Sequence, residues 1–339
     1  MRQAAELAVR EINARGGVRG RLLTLRVEDD SATPDVALRI ARTLYDDPAV
    51  VAVIGHLNSS STISAAAIYG GGSRPVSMIT PSASSPDVSG LGPYVFRACP
   101  SDLAHGRELA RYAWRQLGAR RAAVIYLNDE YGRGVRQTFT REFIRLGGTV
   151  MAESPYLSAT PSLEPYLAAL RQRGGVDVLM LATDRPGAQL ALREMAGLGV
   201  QWPVIGGDAL TGIEGLGPLA EGVHVSEAYL PDKPGQRNAT FVSAYARAFG
   251  GQAPDHRGAS AYDIVYMLAR AIDAAGSSRR AVRDYLARVG HGLPPFEGVT
   301  GTIAFDTAGD VPDLGVVIGA VRGGHILTEL APGSEGGGR

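Results

Sequence analysis

The chain has 339 residues, enough for two α/β domains, with 45% hydrophobic and 20% charged residues, the balance of an ordinary globular protein. Thirty-four basic and 34 acidic residues cancel, which excludes the basic footprint of a nucleic-acid binder and the polybasic segment of a membrane-surface protein. A single cysteine, Cys99, excludes an intrachain disulfide and argues against a structural zinc site.

Residues 1–15 set Ala4, Ala5, Leu7, Ala8 and Ile12 on one face and Arg2, Glu6, Arg10 and Glu11 on the other, predicting an amphipathic helix that Gly16-Gly17 ends. That charged start is no signal peptide, and no run in the chain is long enough to span a membrane. Residues 21–28 alternate as a strand, 29–31 turn, and 35–45 form a helix started after Pro34. Residues 50–54 are short, apolar and β-branched, a buried strand that Gly55 ends. Asn58-Ser59-Ser60-Ser61-Thr62 comes next, then an Ala-rich helix through Tyr69. The first turn of a helix has N–H groups with no internal partner and carries partial positive charge. Serines there either cap the helix or turn hydroxyls toward an anion held by the same N–H groups.

The pattern repeats. Residues 75–79 are an apolar run, and Thr80-Pro81-Ser82-Ala83-Ser84-Ser85-Pro86 is a second hydroxyl-rich turn. Two such loops leaving neighbouring strands on one side make one anion-binding crevice. A carboxylate suits it better than a phosphate, because neither loop carries Lys or a glycine-rich phosphate signature.

Strands at 122–126, 149–153, 176–181 and 204–206 then alternate with helices at 134–146, 163–173 and 187–198, the pattern of parallel sheets covered on both faces. Breaks without periodicity fall at 97–101, 229–235 and 306–313, with helices at 239–249 and 259–275 between the last two. Three breaks imply a chain that leaves one lobe, returns and leaves again. The expected lobes are 1–99 with 229–305 and 100–228 with 306–330, forming a hinged cleft, followed by a disordered tail at 331–339.

Other features weigh less. His56 stands near the serines, but no G-x-S-x-G elbow accompanies it. The remaining histidines are scattered without metal spacing, so no metal and no cofactor is expected. Gly132-Arg133-Gly134 is half of a dinucleotide fingerprint, and Asn58-Ser59-Ser60 fits a glycosylation sequon that many unmodified sites share.

VIGHLNSSSTISAAAIY, TPSASSPDV, YVFRACPSD, YLNDEYGRGV and FDTAGDV, together with the leading AAELAVREINARGGVRGRLLTLRVEDDSATPDVAL, resemble the periplasmic substrate-binding proteins of branched-chain amino acid ABC transporters. The resemblance runs from residue 1 to about residue 328 and is most specific at 55–69. It implies the type I periplasmic binding fold: two Rossmann-like, doubly wound lobes joined by three hinge crossings, closing on an amino acid. It also implies roles. Ser59, with Ser60 beside it, binds the carboxylate; Ser82, Ala83 and Ser84 form the second loop. Tyr131 closes over the ligand, and Asp208 pairs with the α-ammonium. The family often places Gly-Gly-Tyr after the strand at 176–181. Here Ala182-Thr183-Asp184-Arg185 stands instead, which adds Asp184 as a candidate ligand contact and suggests a more polar ligand. The family's first central strand, upstream of the first helix, is missing from this chain, as expected for a misassigned start or a trimmed chain. The resemblance implies a non-enzymatic solute-binding protein of an importer, periplasmic or cell-surface once a leader is supplied. Its partners are an amino acid or related small carboxylate and the permease subunits. The alternative is an amino-acid or amide sensor on the same fold.

Overall fold

The computed structural model describes residues 1–329, so the tail expected at 331–339 lies outside the described residues. The chain divides into two compact units. The first combines Met1–Ser101 with Lys233–Gly315, and the second takes Asp102–Asp232 and, among the described residues, 316–329.

In the first unit, α1 (Arg2–Ala14) buries Ala4, Ala5, Leu7, Ala8 and Ile12, and α2 (Pro34–Asp46) starts on Pro34. Next come β1 (Ala52–Ile54), α3 (Ser59–Gly70), β2 (Ser77–Thr80) and β3 (Val95–Arg97). The three strands form a parallel sheet in the order β1-β2-β3, in register at Ile54↔Ile79 and Thr80↔Arg97. Residues 21–28, expected as a strand, join no sheet. A strand needs a neighbouring backbone, and here the Leu23 N–H and C=O are both taken by the Asn13 side chain, at 2.8 and 2.9 Å. Leu23 and Leu25 still pack with Ala8 and Ile12 of α1, so the alternation reports burial rather than pairing. Among the described residues β1 pairs only with β2.

In the second unit the elements are α4 (Asp102–Arg115), β4 (Arg121–Leu127), α5 (Glu130–Arg145), β5 (Thr149–Tyr156), α6 (Glu164–Gln172), β6 (Val178–Ala182), α7 (Arg185–Leu198), β7 (Val204–Gly206) and β8 (His224–Glu227). Sequence periodicity does not reveal α4, because its buried face includes Asp102, His105 and Gly106 alongside Leu109, Ala110 and Ala113. Every residue of β6 is buried, which is why it reads as a continuous apolar run.

The chain returns to the first unit with α8 (Gln236–Ala248), α9 (His256–Ala275), α10 (Arg279–Leu286) and the short antiparallel pair β9 (Phe296–Glu297) and β10 (Thr302–Ile303). It finishes in the second unit with the hairpin β11 (Val317–Arg322) and β12 (His325–Thr328). The second sheet runs β12-β11-β8-β7-β6-β4-β5; its middle is parallel, and β11 is antiparallel to β8.

The chain changes unit after Ser101, after Asp232 and after Gly315. The last of these has a local reason. Asp306 Oδ1 accepts the Ala308 and Asp310 N–H groups, Asp310 pairs with Arg97 at 2.8 Å, and Val311 and Leu314 enter the first unit's core. Among the described residues no helix is long and apolar enough to cross a membrane.

Candidate functional site

The candidate residues fall into two groups, one in each unit. In the first unit both serine loops leave the C-terminal ends of adjacent parallel strands, the end at which α/β sheets carry ligands. Ser59 opens α3, and its predecessor Asn58 holds the N-cap position without a capping hydrogen bond from its own side chain. The first turn carries the partial positive charge of the helix. Ser59 is 4% exposed, and its Oγ accepts the Ser85 N–H at 3.2 Å, so the two loops touch. Ser60 follows it in the same turn of the helix.

The second loop is held from inside. Thr80 Oγ1 accepts the Ala83 N–H at 2.8 Å and the Ser82 N–H at 3.3 Å, and donates to the His56 carbonyl at 2.7 Å. Ala83 and Ser84 are each 1% exposed, and Ser84 Oγ is buried with no hydrogen-bond partner. A buried hydroxyl without a partner is a costly arrangement unless something else completes it. Both ring nitrogens of His56 are engaged: Nδ1 lies 2.6 Å from Asp30 Oδ2 and Nε2 lies 3.3 Å from the Tyr69 hydroxyl. The hydrogen bond to His56 holds the Asp30 carboxyl below its usual range.

Two residues that periodicity did not single out finish this loop. Arg97, the last residue of β3, is 1% exposed and donates to the Ser84 and Ser85 carbonyls at 3.0 and 2.7 Å. Its other terminal nitrogen meets Asp310 Oδ1 at 2.8 Å and Ser89 Oγ at 2.9 Å. The only signal in the sequence was the charge of Arg97 inside the apolar run YVFRAC.

In the second unit Asp208 and Tyr131 are brought together. Asp208 follows β7, opens a 3-10 turn and is 2% exposed. Tyr131 stands in the first turn of α5, and its Oη accepts the Ala209 N–H at 3.2 Å. Burial first, then the neighbouring Asp208 and Asp102 carboxylates, hold the Tyr131 phenol well above its ordinary value. Asp129, also raised by burial, caps α5 by accepting the Gly132 N–H at 2.8 Å. His105, missed in the sequence because α4 was missed, bridges strand ends: Nδ1 lies 3.0 Å from Ser226 Oγ and Nε2 lies 3.7 Å from Asp208 Oδ2. Glu227, at the end of β8, is 2% exposed and accepts from Thr211 Oγ1 at 3.1 Å, while the same hydroxyl reaches the Asp208 carbonyl at 2.5 Å.

Asp184 is placed otherwise. It is exposed and serves as the N-cap of α7, accepting the Gly187 N–H at 3.0 Å. That is the ordinary task of an Asp before a helix, and the Pro186 that follows suits the first turn.

Two α/β units, traversed by a chain that changes unit three times and carrying polar loops at the C-terminal ends of parallel strands, define a solute-binding architecture. Residues 1–325 match the family model described as periplasmic binding protein, and the chain belongs to that family. It is 32% identical to an ABC transporter substrate-binding protein from Desulfitobacterium hafniense solved with Leu; the match covers 97% of this chain and 95% of that one, with a TM-score of 0.82. A leucine-binding protein from Thermotoga maritima superposes with a TM-score of 0.87 at 25% identity, covering 97% of this chain and 92% of that one. The Leu/Ile/Val-binding protein homolog 1 of Brucella abortus is 28% identical over 339 residues, 99% of this chain and 86% of the relative.

Proposed function

We propose that the protein is the extracytoplasmic solute-binding component of an ABC importer and that it takes an amino acid or a related small carboxylate. One observation carries this assignment: the Ser85 N–H donates to Ser59 Oγ and so joins two serine loops at the start of α3. In the first unit, Ser59 and Ser84 donate to the ligand carboxylate, assisted by N–H groups of the first turn of α3, where Ser60 lies, and by the turn at Ser82 and Ala83. The second unit offers Asp208 for a cationic group and Tyr131, held in place by Ala209, for an apolar contact. Asp184 caps α7 with Oδ1, and its second carboxylate oxygen is the further proposed ligand contact.

A hydrogen bond to a charged group contributes about 1.5–3 kcal/mol net, so several of them, offset by ordering costs, give an affinity on the order of micromolar. The relatives solved or named with leucine, isoleucine and valine support an amino acid as the ligand class. Calorimetry with a panel of amino acids and small carboxylic acids tests the assignment. Binding weakened by Ser59→Ala and by Asp208→Ala is the expected result; unchanged affinity in both variants sinks the site. An importer role further predicts that the loaded protein stimulates ATP hydrolysis by its membrane complex.

A further inference from the structure

The turn at 306–310, one of the chain's breaks, is tied to the serine loops through a continuous line of hydrogen bonds. Asp310 Oδ1 meets the Arg97 guanidinium at 2.8 Å, and Asp310 Oδ2 accepts from Ser89 Oγ at 2.6 Å. Arg97 donates from one nitrogen to both the Ser84 and Ser85 carbonyls. The Ser84 carbonyl and the Ser85 N–H belong to one peptide group and point in opposite directions. Arg97 therefore holds one end of that peptide and Ser59 Oγ, at 3.2 Å, holds the other.

This line has a direction. A guanidinium on the carbonyl polarises the peptide and strengthens its N–H as a donor, since hydrogen bonds in series reinforce one another. A hydroxyl that accepts from this N–H has a lone pair engaged, and its own proton is left to point elsewhere. We propose that Arg97, anchored by Asp310, is a positioning residue that fixes Ser59 as a hydrogen-bond donor toward the anionic group of the ligand. Its buried guanidinium acts through the Ser84–Ser85 peptide and never touches the ligand. Arginine is required: one planar fork meets two carbonyls and a carboxylate at once, and a lysine ammonium cannot span them. The inference rests on Ser59 lying in the ligand site.

The test has two arms on the full-length chain. Without ligand, hydrogen exchange of the Ser85 amide is followed by NMR in wild type, Arg97→Lys and Asp310→Asn, with thermal melting as the control for folding. Exchange at Ser85 faster by about tenfold in Arg97→Lys, with Asp310→Asn between it and wild type, is expected from the loss of a charge-assisted bond. With ligand, calorimetry compares Arg97→Lys in the wild-type and Ser59→Ala backgrounds. About a tenfold loss of affinity in the first and less than about twofold in the second is expected, because residues acting through one another are not additive. Equal losses in both backgrounds, or unchanged Ser85 exchange in a folded Arg97→Lys, overturn the proposal. Asp310→Asn decides the same points if Arg97→Lys does not fold. If wild type takes nothing from the panel, the amino-acid assignment fails and the Ser85 exchange alone decides the relay.

Discussion

Gly207 lies directly against the hydroxyl of Tyr131: a Cβ added at Gly207 would stand 2.2 Å from Tyr131 Oη. No side chain fits there, so the glycine after β7 is what lets Tyr131 reach the Ala209 N–H beside Asp208. Gly207→Ala is expected to displace the tyrosine, at about 1–3 kcal/mol of stability for forced overpacking. It is also expected to weaken ligand binding more than Tyr131→Phe, which keeps the ring in place. Urea unfolding and calorimetry on the two variants decide it; equal affinity in Gly207→Ala and wild type removes Tyr131 from the site.

Ser84 has the opposite signature. Its hydroxyl is buried without a partner, so Ser84→Ala removes an uncompensated polar group. The variant is expected to unfold within about 1 kcal/mol of wild type, or slightly later, while losing ligand affinity by roughly tenfold or more. A drop in stability with no change in affinity would place Ser84 in the scaffold instead.

Asp208→Asn preserves shape and removes charge. Affinity for an amino acid is expected to fall by roughly 10- to 150-fold, the equivalent of about 1.5–3 kcal/mol for a bond to a charged group. A carboxylic acid without the amino group is expected to bind both proteins alike. Equal losses for the two ligands would mean that Asp208 shapes the loop and does not meet a cation.

Arg279 supports the first unit at a distance from the serines. Its guanidinium donates to the carbonyls of Leu44, Tyr45, Asp47, Val50 and Arg74, at 2.6 to 3.3 Å, and so satisfies the free end of α2. Burial holds it below the usual arginine range. Arg279→Lys offers a single ammonium to a fork-shaped set of acceptors, so it is expected to be destabilised nearly as much as Arg279→Met. Each carbonyl left without a donor costs about 1–3 kcal/mol where it is buried. Chemical denaturation measures both, and full rescue by lysine would contradict the fork.

Glu142 sets part of the acid response. Hydrogen bonds from Arg145 and then Arg111 lower its carboxyl from 4.5 to about 2. A carboxylate with a depressed folded value contributes stability that is fully present above the unfolded value and disappears as the pH falls through the folded one. Solvent around the arginines screens the contribution, so a small effect is expected. Glu142→Gln should have a lower urea midpoint than wild type at pH 7, the two curves merging as the pH falls from about 4.5 to about 2. A difference that persists unchanged at the acid end would assign the effect to packing.

Alternation of short apolar runs with amphipathic helices, and serines clustered after two of those runs, were enough to establish the α/β class and to mark the two loops; the family resemblance picked Ser59 and Ser84 within them. These signals are local: period, propensity and turn chemistry act over neighbouring residues. Contacts between distant parts of the chain were not legible there. Asp310 lies 213 residues beyond Arg97, and only folding makes them partners. The face that α4 buries carries Asp102 and His105, so its apolar stripe is too weak to announce a helix. Residues 21–28 have a strand's alternation and no neighbouring backbone to pair with. The sequence by itself determined the α/β alternation and both hydroxyl-rich turns, because those depend on short-range sterics and burial pattern. Only the tertiary structure decided which buried charges meet, because a hydrogen bond depends on where the folded chain brings two groups and not on how far apart they are written.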